Sequence, residues 1–211
     1  MKLYRPVGLA ELALNFDSEM RAFPPLRPEQ PIFYPVLNED YAVQIAGDWN
    51  APDSKSGFAG YVTEFDVEPE YASGFPKKIV GSSVHEELWV PADELTEFNR
   101  HIIGHIRVTR AFFGPGFTGF VPSQFGLKGK TARDQFICLV GTFGYNGMDF
   151  HCELSANKKA VFLNFPFWVQ AEYLLNDVAP DQGVKVLRAI QKVWREHSPE
   201  VPLFPSVAEF A

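Results

Sequence analysis

Residues 81–113, GSSVHEELWVPADELTEFNRHIIGHIRVTRAFF, carry the clearest pattern of secondary structure in this chain. Residues 84–90 are short, β-branched and aromatic, with turn residues before them and Pro91 after them, which predicts a strand. Proline suits the first turn of a helix, and the apolar residues that follow have helical spacing: Leu95, Phe98 and Ile102. The pattern therefore predicts a strand, a helix that ends at Gly104, and a second strand that begins with Ile106 and Val108.

The predicted strand has two chemically different faces, because side chains alternate along a strand. One face is predicted to lie on the core and carries Val84, Glu86, Leu88 and Val90. The other face carries an imidazole, a carboxylate and an indole in a row: His85, Glu87 and Trp89. Glu87 is thus either a solvated strand residue or a functional carboxylate. Glu86 lies on the apolar side, where burying its carboxylate costs free energy unless the group is paired or lies at the edge of the sheet.

The composition is that of an ordinary globular protein, with 46% hydrophobic and 21% charged residues in a chain of 211. The net charge of −7 gives no global basic field and no strong nucleic-acid signal. No apolar run approaches the length of a membrane span, and MKLYRPVG lacks the apolar core of a signal peptide. Two cysteines, Cys138 and Cys152, form no disulfide framework, so we expect reduced thiols and a cytoplasmic protein without membrane attachment.

The N-terminal part predicts strands separated by short helices. Residues 3–7 and 58–67 are predicted strands, the second with Tyr61, Thr63, Phe65 and Val67 on one face. Apolar spacing predicts helices over residues 9–16 and 39–49. Five prolines in residues 23–35 exclude a helix and predict an extended loop.

A glutamate on a strand, a proline four positions later and an Ile-x-Gly-x-Ile-x-Val close together resemble the final conserved block of ADP-ribosyltransferases. The matching positions are Glu87, Pro91, Leu95, Ile102, Gly104, Ile106 and Val108. In that superfamily the glutamate is the catalytic acid, which bonds a ribose hydroxyl of NAD and stabilises the oxocarbenium-like state as nicotinamide leaves. The resemblance implies that Glu87 is catalytic and that NAD is the substrate. The acceptor of ADP-ribose stays open.

The resemblance also implies further cofactor-binding residues. ADP-ribosyltransferases carry an arginine or histidine on the first core strand that positions NAD, and Tyr4 and Arg5 are similar to that feature. A second core strand lines the nicotinamide pocket with tyrosine or hydroxyl residues, and Tyr61 and Thr63 match by order and type. Strand alternation, rather than the resemblance, places His85 and Trp89 beside Glu87, which makes them candidate cofactor-binding residues as well. A surface cation at Arg5 and a core tyrosine at Tyr61 are the competing interpretations.

Residues 1–113 as a whole resemble small bacterial proteins that are labelled "ADP-ribosylation/crystallin J1". The similar segments are LYRPVGLAEL, PEQPIFYPVLN, GYVTEFDV and HEELWVPADELTEFN. The crystallin J1-like glycohydrolases are all-helical and bind two magnesium ions through Asp-rich clusters. This chain has strand patterns and no such clusters, so the crystallin J1 half of the label does not fit, and the label implies no more than ADP-ribose chemistry in a general sense.

Residues 114–130, GPGFTGFVPSQFGLKGK, are rich in glycine and proline and predict a linker or a long functional loop. The run from Gly126 to Thr131 is not a phosphate-binding P-loop, because only two residues separate its glycines where four are needed. Thr131 is a predicted cap for a helix over residues 131–143.

Residues 148–155 and 160–163 flank Asn157-Lys158-Lys159 and predict a β-hairpin. Three polar residues would share one face of such a strand: Asp149, His151 and Glu153. They could bind a metal, or they could form the solvent-exposed face of a hairpin at the edge of a sheet. We expect no metal, because no second cluster completes the coordination shell. Helices are predicted over residues 165–175 and 181–196.

The sequence therefore predicts an α+β fold. Residues 1–113 form an ADP-ribosyltransferase-like domain with a split β-sheet and short helices, residues 114–130 a loop or linker, and residues 131–211 a helix, β-hairpin and helix extension of unknown role. The first functional hypothesis is an NAD-dependent ADP-ribosyltransferase-like enzyme. Its alternatives are a non-catalytic interaction module on the same scaffold and a metal-dependent hydrolase that uses Asp149, His151 and Glu153.

Overall fold

The structure is a computed structural model, and it describes residues 1–81, 85–170 and 178–204. The fold is α+β, as the sequence predicts. Its strands are β1 (Lys2–Val7), β2 (Ile32–Phe33), β3 (Ala59–Val67), β4 (Lys77–Ile79), β5 (Glu86–Leu88), β6 (Val90–Pro91) and β7 (Ile102–Phe113). Its helices are α1 (Leu9–Asp17), α2 (Glu39–Gln44), α3 (Pro69–Ala72), α4 (Leu95–Arg100), α5 (Ala132–Tyr145), α6 (Gly147–Ala156), α7 (Lys158–Val169) and α8 (Pro180–His197).

The chain divides into two compact units, Met1–Gly116 and Phe117–Ala211. The first unit contains every described strand, and the described part of the second unit is helical. The division falls inside the stretch that is rich in glycine and proline.

The first unit is built on a three-stranded antiparallel sheet with the order β1-β3-β7. Arg5 pairs with Thr63 and Val7 pairs with Tyr61, so these four side chains lie on one face. That face is the main core, where Phe23, Phe33, Phe65 and Phe98 meet ring to ring. Burial of large aromatic side chains removes much apolar surface from water, so this face stabilises the first unit.

Two backbone bridges extend the sheet beyond β1. Val36 pairs with Tyr4 on one side and with Glu87 on the other. Glu87 in turn pairs with Lys78 of β4. Cross-strand partners share a face, so Tyr4, Val36, Glu87 and Lys78 all project opposite to the main core.

A helical segment covers this second face. It consists of α2, which Asn38 caps by accepting a hydrogen bond from the backbone N–H of Asp40 at 2.8 Å, and a π-helical turn over Ile45–Asn50. Its buried residues pack on Val36 and Val62: Tyr41, Ala42 and Ala46. Gly60 of β3 permits the contact, because a Cβ atom there would lie 1.9 Å from the carbonyl oxygen of Ala46.

Residues 81–113 follow the prediction with two corrections. Glu86–Leu88 is a strand and Leu95–Arg100 is a helix, as predicted; Val84 lies outside the described residues. Pro91 does not begin the helix but lies in β6, where it pairs with Ile32. Gly104, however, does not end the helix. It lies inside β7 with φ of 75°, where glycine allows the strand to deform next to a register shift against β3.

The predicted β-hairpin of the second unit is wrong. Residues 147–156 and 158–169 form α6 and α7, and Asn146 begins α6 by accepting a hydrogen bond from the backbone N–H of Met148 at 2.9 Å. The residues of α7 from Ala160 to Val169 are all buried, so this helix has no polar face that a sequence period could reveal. The predicted helix over 165–175 is observed as far as Val169, and 171–177 lie outside the described residues.

A buried amide pair fastens residues 117–131 to the helices of the second unit. Asn164 accepts a hydrogen bond from the backbone N–H of Phe120 at 2.8 Å, and its amide donates to the Phe120 carbonyl and to Gln135. Gln135 donates to the carbonyls of Phe120 and Lys130, each at 2.8 Å. Both side chains are 0% exposed, so the loop is held by fully satisfied buried hydrogen bonds.

Substituting Gly60→Ala should destabilise the first unit by roughly 2–4 kcal/mol, because the added methyl group overlaps the Ala46 carbonyl and the backbone must move. Urea unfolding followed by circular dichroism measures the loss. Gly141→Ala is the control, since this helical glycine has open space around its Cβ position and should be neutral or slightly stabilising. Equal stability of Gly60→Ala and the wild type would contradict the close approach.

Substituting Asn164→Ala should lower the free energy of unfolding of the second unit by roughly 2–4 kcal/mol, because it leaves buried groups of Phe120 and Gln135 without partners. Asn146→Ala is the comparison, since it removes an exposed helix cap and should cost about 1 kcal/mol. Thermal melts of both variants check the ranking, and a larger loss for Asn146→Ala contradicts it.

Candidate functional site

The Glu87 carboxylate is held by one hydrogen-bond donor on each oxygen. The Tyr41 hydroxyl donates to Oε1 at 3.2 Å, and the Trp89 indole N–H donates to Oε2 at 3.0 Å. Tyr41 is on α2 and Trp89 lies just after β5, so the helix and the strand fix the carboxylate from two directions. Such a group is oriented before any ligand binds.

Aromatic rings surround this carboxylate. The imidazole of His85 stacks on Tyr41 with ring centroids 4.0 Å apart, and the edge of Trp49 approaches Tyr41 at 6.5 Å. Trp89 meets the ring of Tyr34 at 5.4 Å. His85 is itself fixed, with Nδ1 3.1 Å from the Val80 carbonyl and Nε2 3.1 Å from the Gln44 side chain. We call Glu87, Tyr41, His85 and Trp89 the Glu87 cluster.

Tyr41 remains a hydrogen-bond donor over a wide pH range. Burial is the main reason that the pKa of its hydroxyl is raised above the ordinary value, and the negative charge of Glu87 and the hydrogen bond to it raise it further. The ring is 4% exposed. The Tyr41 hydroxyl therefore stays protonated beside Glu87 at neutral pH.

The sequence identified three members of the Glu87 cluster and missed the fourth. Alternation along residues 85–89 placed His85, Glu87 and Trp89 on one face, and the structure has them there, with Leu88 and Val90 buried on the opposite side. Tyr41 comes from a different element, the helix predicted over residues 39–49, and is not singled out from the sequence. The four-residue spacing of Tyr41, Ile45 and Trp49 was the available signal, because it indicated an aromatic surface that needs a partner.

Arg5 lies on the other face of the sheet and is committed to internal contacts. Its Nε is 2.6 Å from Oε1 of Glu11, its guanidinium lies 4.5 Å from the ring centre of Phe33, and Nη1 donates to the carbonyl of Tyr34 at 3.4 Å. Its side chain is 11% exposed, at the wall of a cleft of about 170 Å³ that Arg27 and Gln30 also line. The cleft therefore combines two guanidinium groups with one carboxylate.

Tyr61 and Thr63 are completely buried on the same face as Arg5. The hydroxyl of Thr63 donates to the carbonyl of Arg5 at 2.7 Å, which ties β3 to β1. Burial strongly raises the pKa of Tyr61. Tyr4, by contrast, is half-buried on the face of Glu87, where it packs against the Val36 and Tyr41 group. The structure thus groups Tyr4 with the Glu87 cluster and separates Arg5, Tyr61 and Thr63 from it.

The trio considered for metal binding does not share a strand face, because α6 is a helix. Asp149 accepts a hydrogen bond from the Asn146 amide at 3.1 Å, and Glu153 accepts from the backbone N–H of Gly126 at 2.8 Å and from the Asn157 amide. His151 is two residues from each, which on a helix is about 200° of rotation. In the described residues no group of three or more histidine, cysteine, aspartate or glutamate side chains could hold a metal.

Comparisons with protein-family models, with curated proteins and with solved structures each gave no match. Among the described helices, none combines the length and the apolar composition that crossing a membrane needs.

The stability of the first unit should fall as the pH rises above about 10, because unfolded tyrosines lose a proton there while buried Tyr61 keeps it. This tyrosine alone contributes a slope of up to about 1.4 kcal/mol per pH unit. Tyr61→Phe should flatten the dependence of unfolding free energy on pH above about pH 10. Tyr145→Phe is the control, since Tyr145 is 88% exposed and should leave the slope unchanged.

Proposed function

We propose that this protein is an NAD-dependent ADP-ribosyltransferase-like enzyme in which Glu87 stabilises the transition state as the nicotinamide–ribose bond breaks. The observation that carries the proposal is the fixed Glu87 carboxylate, held by Tyr41 and Trp89 and surrounded by aromatic rings. The transferase-like block in residues 87–108 supplies the match of residue type and spacing.

The chemistry needs a negative charge that does not reorganise. As nicotinamide leaves, positive charge develops on the ribose carbon and ring oxygen, and a nearby carboxylate lowers the energy of that state. Each oxygen of Glu87 accepts one hydrogen bond from the protein, so each has further lone-pair capacity for a ribose hydroxyl. Glu87 can therefore bind the ribose and face the developing charge without changing its position.

The aromatic rings suit the leaving group. Nicotinamide in NAD is a planar cation, and such groups are attracted to the faces of indole and phenol rings. Trp89 and Tyr34 are both half-buried next to Glu87, so their rings are partly accessible to a ligand. We assign the nicotinamide to this side of the sheet, with Tyr4, His85 and Trp89 as contacting residues.

Arg5 requires an exchange of partners in order to bind the cofactor. Its guanidinium is paired with Glu11 and would have to turn toward a phosphate group in the adjoining cleft. Tyr61 and Thr63 have no exposed surface, so on this proposal they act by holding β3 and β1 in register. Both cysteines are free thiols, which fits the reducing cytoplasm in which we place this activity.

A non-catalytic module that binds a ligand on the same scaffold is the second candidate. The observation in its favour is that Arg5, Tyr61 and Thr63 do not meet Glu87 on one surface. Calorimetry with NAD, ADP-ribose and ATP separates the two candidates. Binding of NAD or ADP-ribose without consumption of NAD supports the module, and no binding of either at millimolar concentration rejects the transferase.

Glu87→Gln should abolish NAD cleavage and leave NAD binding nearly intact, because the lost interaction belongs to the transition state. A loss of at least about a hundredfold in kcat is expected from removing one electrostatic stabiliser. Nicotinamide release measures turnover, and calorimetry measures binding.

Glu86→Gln is the matched control, since Glu86 is adjacent in sequence and points to the opposite face. It should change the melting temperature more than turnover. Wild-type turnover in Glu87→Gln, with activity lost in a folded Glu86→Gln, would show that the catalytic carboxylate has been assigned one residue out of register.

A further inference from the structure

The strand β4 presents an unpaired backbone edge. On its inner side, the backbone N–H of Val80 donates to the His85 carbonyl and that of Trp89 donates to the Pro76 carbonyl, each at 2.9 Å. Antiparallel bonding alternates along a strand, so Lys78 bonds inward while Lys77 and Ile79 direct their N–H and C=O groups outward. Within the described residues, no segment pairs with this outer edge.

The side chains of this edge are also uncovered. All three residues of β4 are exposed, and Ile79 is 65% exposed with Val80 next to it at 43%. Lysine side chains are a common means of keeping an edge from pairing. A lone isoleucine at 65% exposure does not serve that purpose, and it offers apolar surface to a bound strand.

The outer edge of β7 shows how the same unit protects a strand edge. β7 contains two register shifts, a glycine with φ of 75° at Gly104, and charged residues at Arg107 and Arg110. The backbone N–H of Ile106 is covered by the Met20 carbonyl at 2.7 Å. β4 also carries two lysines, but it has no bulge and no covering segment among the described residues, so its outer backbone edge is accessible.

The edge of β4 is next to the Glu87 cluster. Lys78 is the cross-strand partner of Glu87, and its ammonium nitrogen lies 5.9 Å from the centre of the Trp89 ring. Strands in a sheet are about 4.8 Å apart, so a strand added outside β4 lies about 10 Å from β5. The residue opposite Lys78 would project on the same face as Glu87.

We propose that the outer edge of β4 binds an extended polypeptide by antiparallel strand addition, and that this polypeptide is the acceptor of ADP-ribose. The second clause rests on the proposed function. Two residues with outward backbone groups, Lys77 and Ile79, hold the polypeptide by main-chain hydrogen bonds. Charge and burial select a motif with an apolar residue opposite Ile79 and an acidic residue opposite Lys77. The residue opposite Lys78 has to carry a nucleophilic oxygen or nitrogen in order to accept ADP-ribose.

The middle residue of this motif is the acceptor. Its nucleophilic oxygen or nitrogen forms the bond to the ribose carbon as the bond from that carbon to nicotinamide breaks. Nicotinamide leaves as a neutral molecule with the bonding electron pair, and the proton of the nucleophile passes to Glu87 or to solvent. No other reactant is needed.

Panning a random heptapeptide phage library against the wild type, without NAD, tests the docking edge. Peptides with an apolar and an acidic residue two positions apart should be enriched. The peptide that binds most tightly is synthesised with a fluorescein label for anisotropy titration. Ile79→Pro removes one outward N–H and leaves the inward ladder bonds in place, since proline is tolerated on edge strands. It should weaken binding about tenfold or more.

Ile79→Thr is the matched control, because it keeps the backbone N–H and removes only apolar surface, and it should weaken binding less than the proline variant. Lys77→Glu should weaken binding of acidic peptides and shift the selected motif away from acids. Melting curves confirm that each variant is folded. No enrichment of peptides with this spacing, or equal affinity of Ile79→Pro and the wild type, overturns the docking edge and leaves Lys77 and Lys78 as edge protection only.

Hydrolysis of NAD by water, measured without peptide, tests the proposed function separately. For a selected peptide whose middle residue carries a nucleophilic oxygen or nitrogen, the wild type should transfer labelled ADP-ribose to that residue. Ile79→Pro should lose this transfer while hydrolysis of NAD persists. A different outcome is that the protein binds the peptide in a way that depends on Ile79 and yet does not cleave NAD. This result rejects both the enzyme and the assignment of the peptide as acceptor, but it supports the docking edge.

Discussion

The position of Glu87 depends on the backbone of Val36. Its N–H donates to the Tyr4 carbonyl at 2.7 Å, and its carbonyl accepts from the Tyr4 N–H at 2.9 Å. On the opposite side of this segment, the backbone N–H of Leu37 donates to the Glu86 carbonyl, and the N–H of Leu88 donates to the Pro35 carbonyl. These four bonds join β5 to the three-stranded sheet, and the Val36 side chain, 1% exposed, supports α2 above it. Without this bridge, Tyr41 and Glu87 would belong to separate pieces of structure.

Because the sheet is pleated, the functional groups of the first unit lie on two opposite faces. Residues adjacent in sequence, such as Tyr4 and Arg5, face opposite sides. Arg5 consequently joins Glu11 and the phenylalanine core, while Tyr4 joins the surface that carries Glu87. A carboxylate beside aromatic rings and a pair of arginines in a cleft are each suited to one part of a dinucleotide. On the proposed function, the cofactor has to engage both, and Arg5 is the residue whose contacts must change.

Secondary structure was predicted wrongly where a buried element lacks the alternation of polar and apolar residues that marks a helix or a strand. The hairpin predicted for residues 148–163 came from alternating polarity beside Asn157, yet Asn146 caps a helix there and α7 is buried on all sides. A helix without a polar face has no period of 3.6 residues to detect. Gly104 was likewise assigned to a helix end, whereas its positive φ lets β7 deform against β3. For α7 and Gly104 the tertiary surroundings decided the conformation, whereas the Asn146 cap of α6 is a local signal.

The sequence by itself determined the α+β class, the strands around Tyr61 and Glu87, and the shared face of His85, Glu87 and Trp89, because a strand's alternation is fixed by covalent geometry. Only the tertiary structure decided that Tyr41 donates to Glu87, that Arg5 is paired with Glu11, and that Gly60 receives the backbone of Ala46. These contacts join residues 46, 6 and 14 positions apart through a strand order and a helix placement that no local pattern encodes. They depend on which surfaces meet, and that is set by the packing of the whole unit.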